Sequence, residues 1–207
     1  IYGASRTIFS SLILVSLMFV FGSFIGIISG YIGGLFDNIV MRIVDVFLAF
    51  PSLVLAIAVA GVLGGGMINA MIAIGVIGWT KYARLARGEV LEIKEETFIK
   101  AARLSGNSSM YIVFKHIMPR VLSTLIVTAS LDIGTTIMEM AALSFLGLSS
   151  PLPIPEWGAM MNEGKSMIQF APWITIAPGI AIFIIVILFN LLGDVVHDML
   201  DPKQKEY

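Results

Sequence analysis

The chain has 207 residues, 57% of them hydrophobic and 13% charged, with a formal net charge of -1 and no cysteine. That balance is far from a soluble domain's and reads as a polytopic membrane protein of the all-α class. It excludes disulfides, thiolate metal sites and thiol catalysis, and it makes the placement of each lysine and arginine more informative than their sum.

Measured against the roughly 20 residues that cross about 30 Å of hydrocarbon, the apolar runs predict five spans, near residues 8–33, 43–64, 68–87, 120–147 and 173–196. No internal repeat, low-complexity tract or long linker divides them, so residues 1–207 are expected to form a single transmembrane domain. Residue 1 is Ile and no basic segment with a cleavage site opens the chain. We therefore expect at least one further helix to precede it.

In the first span, Gly22, Gly26, Gly30 and Gly34 recur every four residues. Small residues at that spacing share a helix face and let another backbone approach, inside the protein or across a subunit contact. Pro51 in the second span and Pro178 in the last are candidate kinks. With alternating spans, Arg42, Lys81, Arg84, Arg87, Lys94, Lys100, Arg103, Lys115, Arg120, Lys203 and Lys205 fall on one side, and only Arg6 and Lys165 on the other. The positive-inside rule then puts residues 88–119 and the C-terminus in the cytoplasm, with the N-terminal end and the loop at 148–172 outside.

The cytoplasmic island begins with a charged arm, Glu89 to Arg103, whose Glu92, Lys94, Glu95 and Glu96 suit an exposed helix. Gly106 ends that arm, and Asn107, Ser108 and Ser109 offer oxygens to cap a second arm running to about Lys115. Ala101 and Ala102 leave a smooth patch beside the turn. A plain solvated connection is the alternative, but some 30 residues with internal helix signals point to a functional segment.

The span at 120–147 carries Thr124, Thr128, Asp132, Thr135 and Glu139 at three- or four-residue steps. Ionisable groups in a membrane segment cost roughly 2.5 kcal/mol or more at its centre and usually face a bundle interior or an aqueous path. The stripe, and Thr128, Asp132, Thr135 and Glu139 above all, is expected to line a translocation pathway; the alternatives are a buried contact that fixes packing and, for Glu139, a place at the outer interface.

Pro151, Pro153 and Pro155 make 148–172 a loop, and its Glu156, Trp157, Glu163 and Trp173 suit first of all interface anchoring. GAMMNEGKS at 158–166 imitates a phosphate-binding loop but has five residues between its glycines where four are needed, and no strand precedes it. His116 and His197 have no nucleophile and base to work with. The GDVVHDMLDP end, with Asp194, Asp198 and Asp201, reads as the last helix stopping at Pro202 rather than as a metal cluster. No metal or catalytic residue is expected, and the basic residues, interleaved with acids, do not form a nucleic-acid surface.

The segment KAARLSGNSSMYIVFKHIMP, 100–119, resembles the cytoplasmic signature of the permease subunits of bacterial ABC importers in the dipeptide, oligopeptide and nickel branch: Glu-Ala-Ala, three residues, Gly, nine residues, then Ile-x-Leu-Pro. Ala101, Ala102, Gly106 and Pro119 match; Lys100 replaces Glu, His116 replaces Ile and Met118 replaces Leu. MRIVDVFLAFPSLVLAIAV, ALSFLGL, PEWGAMMNEG and FNLLGD followed by LDP are similar to the second permease of such importers, over essentially the whole chain.

The resemblance implies a type I importer permease of six helices, the first of them preceding this chain. It implies coupling helices at about 89–118, with Lys100, Ala101, Ala102, Gly106, Met118 and Pro119 at the contact with an ATPase. The implied partners are a second homologous permease, two cytoplasmic ATP-binding subunits and an extracytoplasmic solute-binding protein, in a bacterial or archaeal cytoplasmic (inner) membrane. In such importers the loop at 148–172 faces the solute-binding protein, which sets direct docking beside folding back over the outer mouth. ATP and Mg would be bound by the ATPase subunits, with no cofactor on this chain and no catalysis of its own. Peptides and nickel or other metal chelates all fit the pattern; SLDIG at 130–134 and PEWG at 155–158 lean towards the nickel members. The competing reading is a secondary transporter driven by an ion gradient, with Asp132 and Glu139 as its coupling carboxylates.

Overall fold

Apolar residues spaced along uninterrupted helical runs produce the long elements. The computed structural model describes residues 2–149 and 154–200, so Pro151, Pro153, Asp201, Pro202, Lys203 and Lys205 lie outside the described residues. In chain order the elements are α1 (Tyr2–Ile32), α2 (Gly34–Leu48), α3 (Ser52–Leu63), α4 (Met67–Ile93), α5 (Thr97–Leu104) and α6 (Ser109–Ile112). A single π turn, Val113–Ile117, leads into α7 (Met118–Phe145); α8 (Trp157–Gly164), a 3₁₀ turn at Lys165–Met167 and α9 (Trp173–Leu200) complete the order. No strand occurs among the described residues.

Three stretches are long and apolar enough to cross a membrane: α1, the continuous run Ser109–Phe145, and α9. The span expected at 43–64 is not one helix. It divides at Ala49–Pro51 into α2 and α3, which meet at 89° and count as a fourth crossing only if taken together. Pro51 causes the break, because it has no backbone N–H to give and its ring disfavours helix in the residue before it. Pro178, by contrast, is accommodated within α9. The run at 68–87 does form a helix, α4, but this element continues to Ile93 and carries Lys81, Arg84, Arg87, Glu89 and Glu92. The charged arm expected from Glu89 to Arg103 is likewise two elements, the end of α4 and a separate α5.

The core sits where α1 crosses α4, with α7 packed on both and α9 on α7. The glycine face of α1 makes that crossing close. A Cβ on Gly22 would lie 2.3 Å from the Trp79 carbonyl oxygen, one on Gly26 2.3 Å from that of Ala83, and one on Gly30 3.0 Å from the Val90 Cβ. The stripe is therefore an internal packing device through Gly30. Gly34 departs from it, turning with φ +64 into the start of α2 and touching nothing.

At the end of the bundle away from α5 and α6, α8 folds back onto α7, α9 and the start of α1. Glu156 and Trp157 are buried there, whereas Trp173 is exposed. Gly158, the first glycine of the phosphate-loop look-alike, lies against α7: its Cβ would stand 2.5 Å from the Ala141 carbonyl oxygen. The glycines of that stretch serve helix packing.

Candidate functional site

Two features answer to the sequence expectations: an exposed turn joining α4 to α7, and a polar recess between the same two helices.

The turn is built from backbone and small side chains. The Ser105 N–H donates to the Ala101 carbonyl at 2.9 Å, Gly106 to Arg103 at 3.0 Å and Asn107 to Ala102 at 3.3 Å. Closing the helix in this way requires the left-handed conformation, which Gly106 supplies with φ +81. Of the three caps expected for the next helix, Ser108 is the one used; its Oγ accepts from the Tyr111 N–H at 3.3 Å. Ile99, Ile112 and Ile117 are buried and tie the turn to the bundle, and His116 is packed between the rings of Phe98 and Tyr111 at 5.9 and 5.8 Å. Arg120 reaches back to Glu96 at 2.7 Å, bracing the start of α7 against α5.

Lys100, Ala101 and Gly106 are exposed together and Ala102 is half-buried beside them. Met118 is half-buried and Pro119 exposed, both beyond the turn at the start of α7. Met118 packs against the core, and Pro119 follows the π turn Val113–Ile117 inside the continuous run Ser109–Phe145, where the widened turn takes a residue without an N–H. Lys100 pairs with Glu95 at 3.0 Å, and that hydrogen bond holds the Glu95 carboxyl below its ordinary pKa.

The recess has a volume of about 250 Å³. Asp132, Thr135 and Glu139 of α7 face Lys81 and Thr80 of α4 and Ser52 of α3, with Met18 of α1 closing the apolar side. Asp132 is buried and forms an ion pair with Lys81, whose side chain is 48% exposed. Glu139 accepts a hydrogen bond from the Ser52 hydroxyl at 3.1 Å. Thr128 is outside this group; its Oγ1 donates to the Thr124 carbonyl at 3.1 Å within α7, as threonines in apolar helices do. Two larger concavities, about 540 and 760 Å³, are lined almost wholly by apolar side chains and offer no comparable chemistry.

Sequence reasoning missed Lys81 and Ser52. Lys81 serves there only as an orientation marker, although it is the first charged residue after the apolar run 67–80 and comes within reach of the Asp132 stripe only if α4 and α7 touch. Ser52 carries no signal until Pro51 breaks the chain and turns α3 towards α7. Outside the recess, a second charged cluster ties α1, α2 and α4 together at the end near the turn. Arg87 Nη2 donates to Asp37 Oδ2 at 2.7 Å, Ser29 Oγ donates to Asp37 Oδ1 at 2.6 Å, and Lys94 Nζ donates to the Gly30 carbonyl at 3.1 Å. On α8, the Glu156 carboxylate accepts from the N–H groups of Gly158 and Ala159 at 3.0 and 3.2 Å and from the Thr7 hydroxyl at 3.5 Å.

Known proteins share both the sequence and the architecture. The profile of a family described as "binding-protein-dependent transport system inner membrane component" matches residues 22–206. The chain is 43% identical over 205 residues to the dipeptide transport system permease protein DppC of Alkalihalophilus pseudofirmus, covering 99% of this chain and 67% of that protein. It is 46% identical over 193 residues to the glutathione transport system permease protein GsiD of Pectobacterium atrosepticum, covering 93% and 64%. The chain thus spans about two thirds of the length of these relatives. Two solved structures of inward-facing conformations of the MetNI methionine ABC transporter share the fold, with TM-scores of 0.68 and 0.75 at 20% identity, over 95% and 96% of this chain and 95% and 94% of theirs.

Proposed function

The chain belongs to the family of binding-protein-dependent transport system inner membrane components, and from that premise we propose that it is a permease subunit of an ATP-driven peptide importer, carrying half of the path and moved by a partner ATPase. The all-helical fold is that of the type I importer permeases. A path across a membrane needs polar groups where hydrocarbon would otherwise close, and an engine needs a handle outside it.

The observation that carries the reading is that one continuous segment supplies both. From Lys81, α4 runs about 18 Å to its end at Ile93, and from Met118, α7 runs about 21 Å to Asp132, at 1.5 Å per residue. The exposed Ala101 to Gly106 turn bridges those two ends. Any force that shifts the turn changes how α4 lies against α7, and so acts on the Lys81–Asp132 pair that spans them in the recess. ATP-dependent closure of the partner subunits is the source of that force, biasing the bundle between two arrangements.

The remaining assignments follow from this proposal. The turn and the basic end lie in the cytoplasm of a bacterial or archaeal cytoplasmic membrane, and α8 faces the solute-binding protein. A second permease completes the path; ATP and Mg belong to the ATPase pair. The relatives named for dipeptide and glutathione favour a peptide cargo over a nickel chelate, and family membership gives the gradient-driven alternative no support.

Co-purification of the ATPase subunits with this chain from detergent tests the coupling role. Nothing lies within 4 Å of the position a Gly106 Cβ would take, so a side chain there meets no neighbour in the chain, and the strain of φ +81 is controlled for by asparagine. The wild type and Gly106→Asn, a residue that tolerates the left-handed conformation, should retain the ATPase, and Gly106→Trp should lose it. A folded, monodisperse protein that captures no ATPase in any form would overturn the proposal.

A further inference from the structure

We propose that the recess between α3, α4 and α7 is a binding site for a primary ammonium group, held by the Glu139 carboxylate with Ser52 beside it. The inference rests on the importer reading and adds to it the chemical group that the path itself recognises.

Three charged side chains face the recess: Lys81, Asp132 and Glu139. Lys81 and Asp132 neutralise each other. Glu139 has no cationic partner among the described residues and accepts only the Ser52 hydroxyl. A carboxylate has about four lone-pair sites, so most of its accepting capacity is open. An unpaired carboxylate in a membrane helix marks a place where charge or water is met. What it lacks is a donor-only cation.

The ligand's chemistry follows from the neighbours. An ammonium has three donors and no acceptor, and the recess presents Glu139 with two hydroxyls, Ser52 and Thr135, each able to accept. A metal ion is a poorer fit, since no group of three or more His, Cys, Asp or Glu side chains placed to hold one occurs among the described residues. The volume of about 250 Å³ holds on the order of eight waters, enough for the amino end of a small molecule.

The second charge of a zwitterion can share Lys81, whose ammonium has three donors of which Asp132 takes one. Asp132 and Glu139 are seven residues apart on α7, about 10.5 Å along its axis, and Lys81 stands at the Asp132 level with its side chain 48% exposed. An extended dipeptide spans about 7 Å. With its ammonium at Glu139, its carboxylate points along the recess towards Lys81. The site therefore favours a free amino terminus and accommodates a carboxylate beyond it.

The test uses the complete importer in lipid nanodiscs without its solute-binding protein, so that selection by that protein is absent. Equilibrium binding is measured with radiolabelled dialanine and N-acetyl-dialanine. Dialanine should bind saturably and the acetylated probe at least tenfold more weakly; Glu139→Gln should cost dialanine at least tenfold and erase the difference between the probes. Glu139→Asp should restore part of the discrimination, and Ser52→Ala should weaken dialanine by a smaller factor, which separates loss of the site from loss of the fold. Equal binding of the two probes, no saturable binding of either, or a Glu139→Gln protein that still discriminates would each overturn the ammonium site. ATP-driven dialanine uptake by the wild type with its binding protein reads the importer proposal separately: uptake with equal probe binding removes the site and leaves the importer.

Discussion

Replacing Gly26 by Ala should loosen the crossing of α1 and α4, and the structure sets the size of the effect. The added methyl would lie 2.3 Å from the Ala83 carbonyl oxygen and 2.7 Å from the Ala86 Cβ. Ordinary contact begins near 3.4 Å, so α1 has to back away by about 1 Å, and the obstacle is backbone that cannot rotate aside. Overpacking of this kind costs about 1–3 kcal/mol, and the upper half of that range applies, because in lipid the close packing of small residues is itself the main attraction between helices. Gly88→Ala is the internal control. It adds the same methyl to α4 where nothing lies within 4 Å, and better helix propensity should leave it neutral or more stable by up to about 1 kcal/mol. Unfolding in mixed detergent micelles, followed by tryptophan fluorescence, separates the two, since Trp79 lies at this crossing against Phe21 with ring centroids 5.3 Å apart. Equal midpoints for the two alanine variants would refute the close-packing argument.

The Asp37 cluster and the α8 cap give two further expectations. Arg87→Met leaves the buried Asp37 carboxylate without its guanidinium, and stability should fall by about 3 kcal/mol, the low end for breaking a buried pair because a third of the Arg87 side chain is exposed. Arg87→Met with Asp37→Leu should recover more than half of that loss in the same unfolding assay; an additive double variant would contradict the pairing. Glu156→Ala removes the acceptor for two α8 N–H groups and should cost about 1–2 kcal/mol, with protease cleavage near residue 156 rising before any change at the α5–α6 turn. Unchanged proteolysis there would show that α8 is held by Trp157 and its packing alone.

Much of this molecule was legible in the sequence because lipid imposes simple demands. Long apolar runs gave α1, α7 and α9, the positive φ at Gly106 follows from the residue itself, and the α7 stripe led to Asp132, Thr135 and Glu139. The errors share a physical origin in contacts between distant segments. Residues 43–64 have the hydropathy of one span, and only Pro51 hints that α2 and α3 diverge. Thr128 has the right period on α7 but does not line the recess, where only the packing of α3 and α4 decides which residues face it. Lys81 gains its role only when α4 meets α7, a pairing that depends on the glycine face of α1 drawing α4 into place.

The Thr7–Glu156 contact joins residues 149 positions apart. At roughly 5–20 residues per second of synthesis, Thr7 is made about 7–30 s before the carboxylate it meets exists. During that interval the Thr7 hydroxyl lacks this partner, and the neighbouring hydroxyls can turn inward, as Ser10 and Ser11 do in donating to the Thr7 carbonyl. This contact therefore closes on a segment made long before its partner. Insertion must hold that segment within reach until then, so a ribosome stalled before residue 156 would leave an α1 that is inserted but open to degradation.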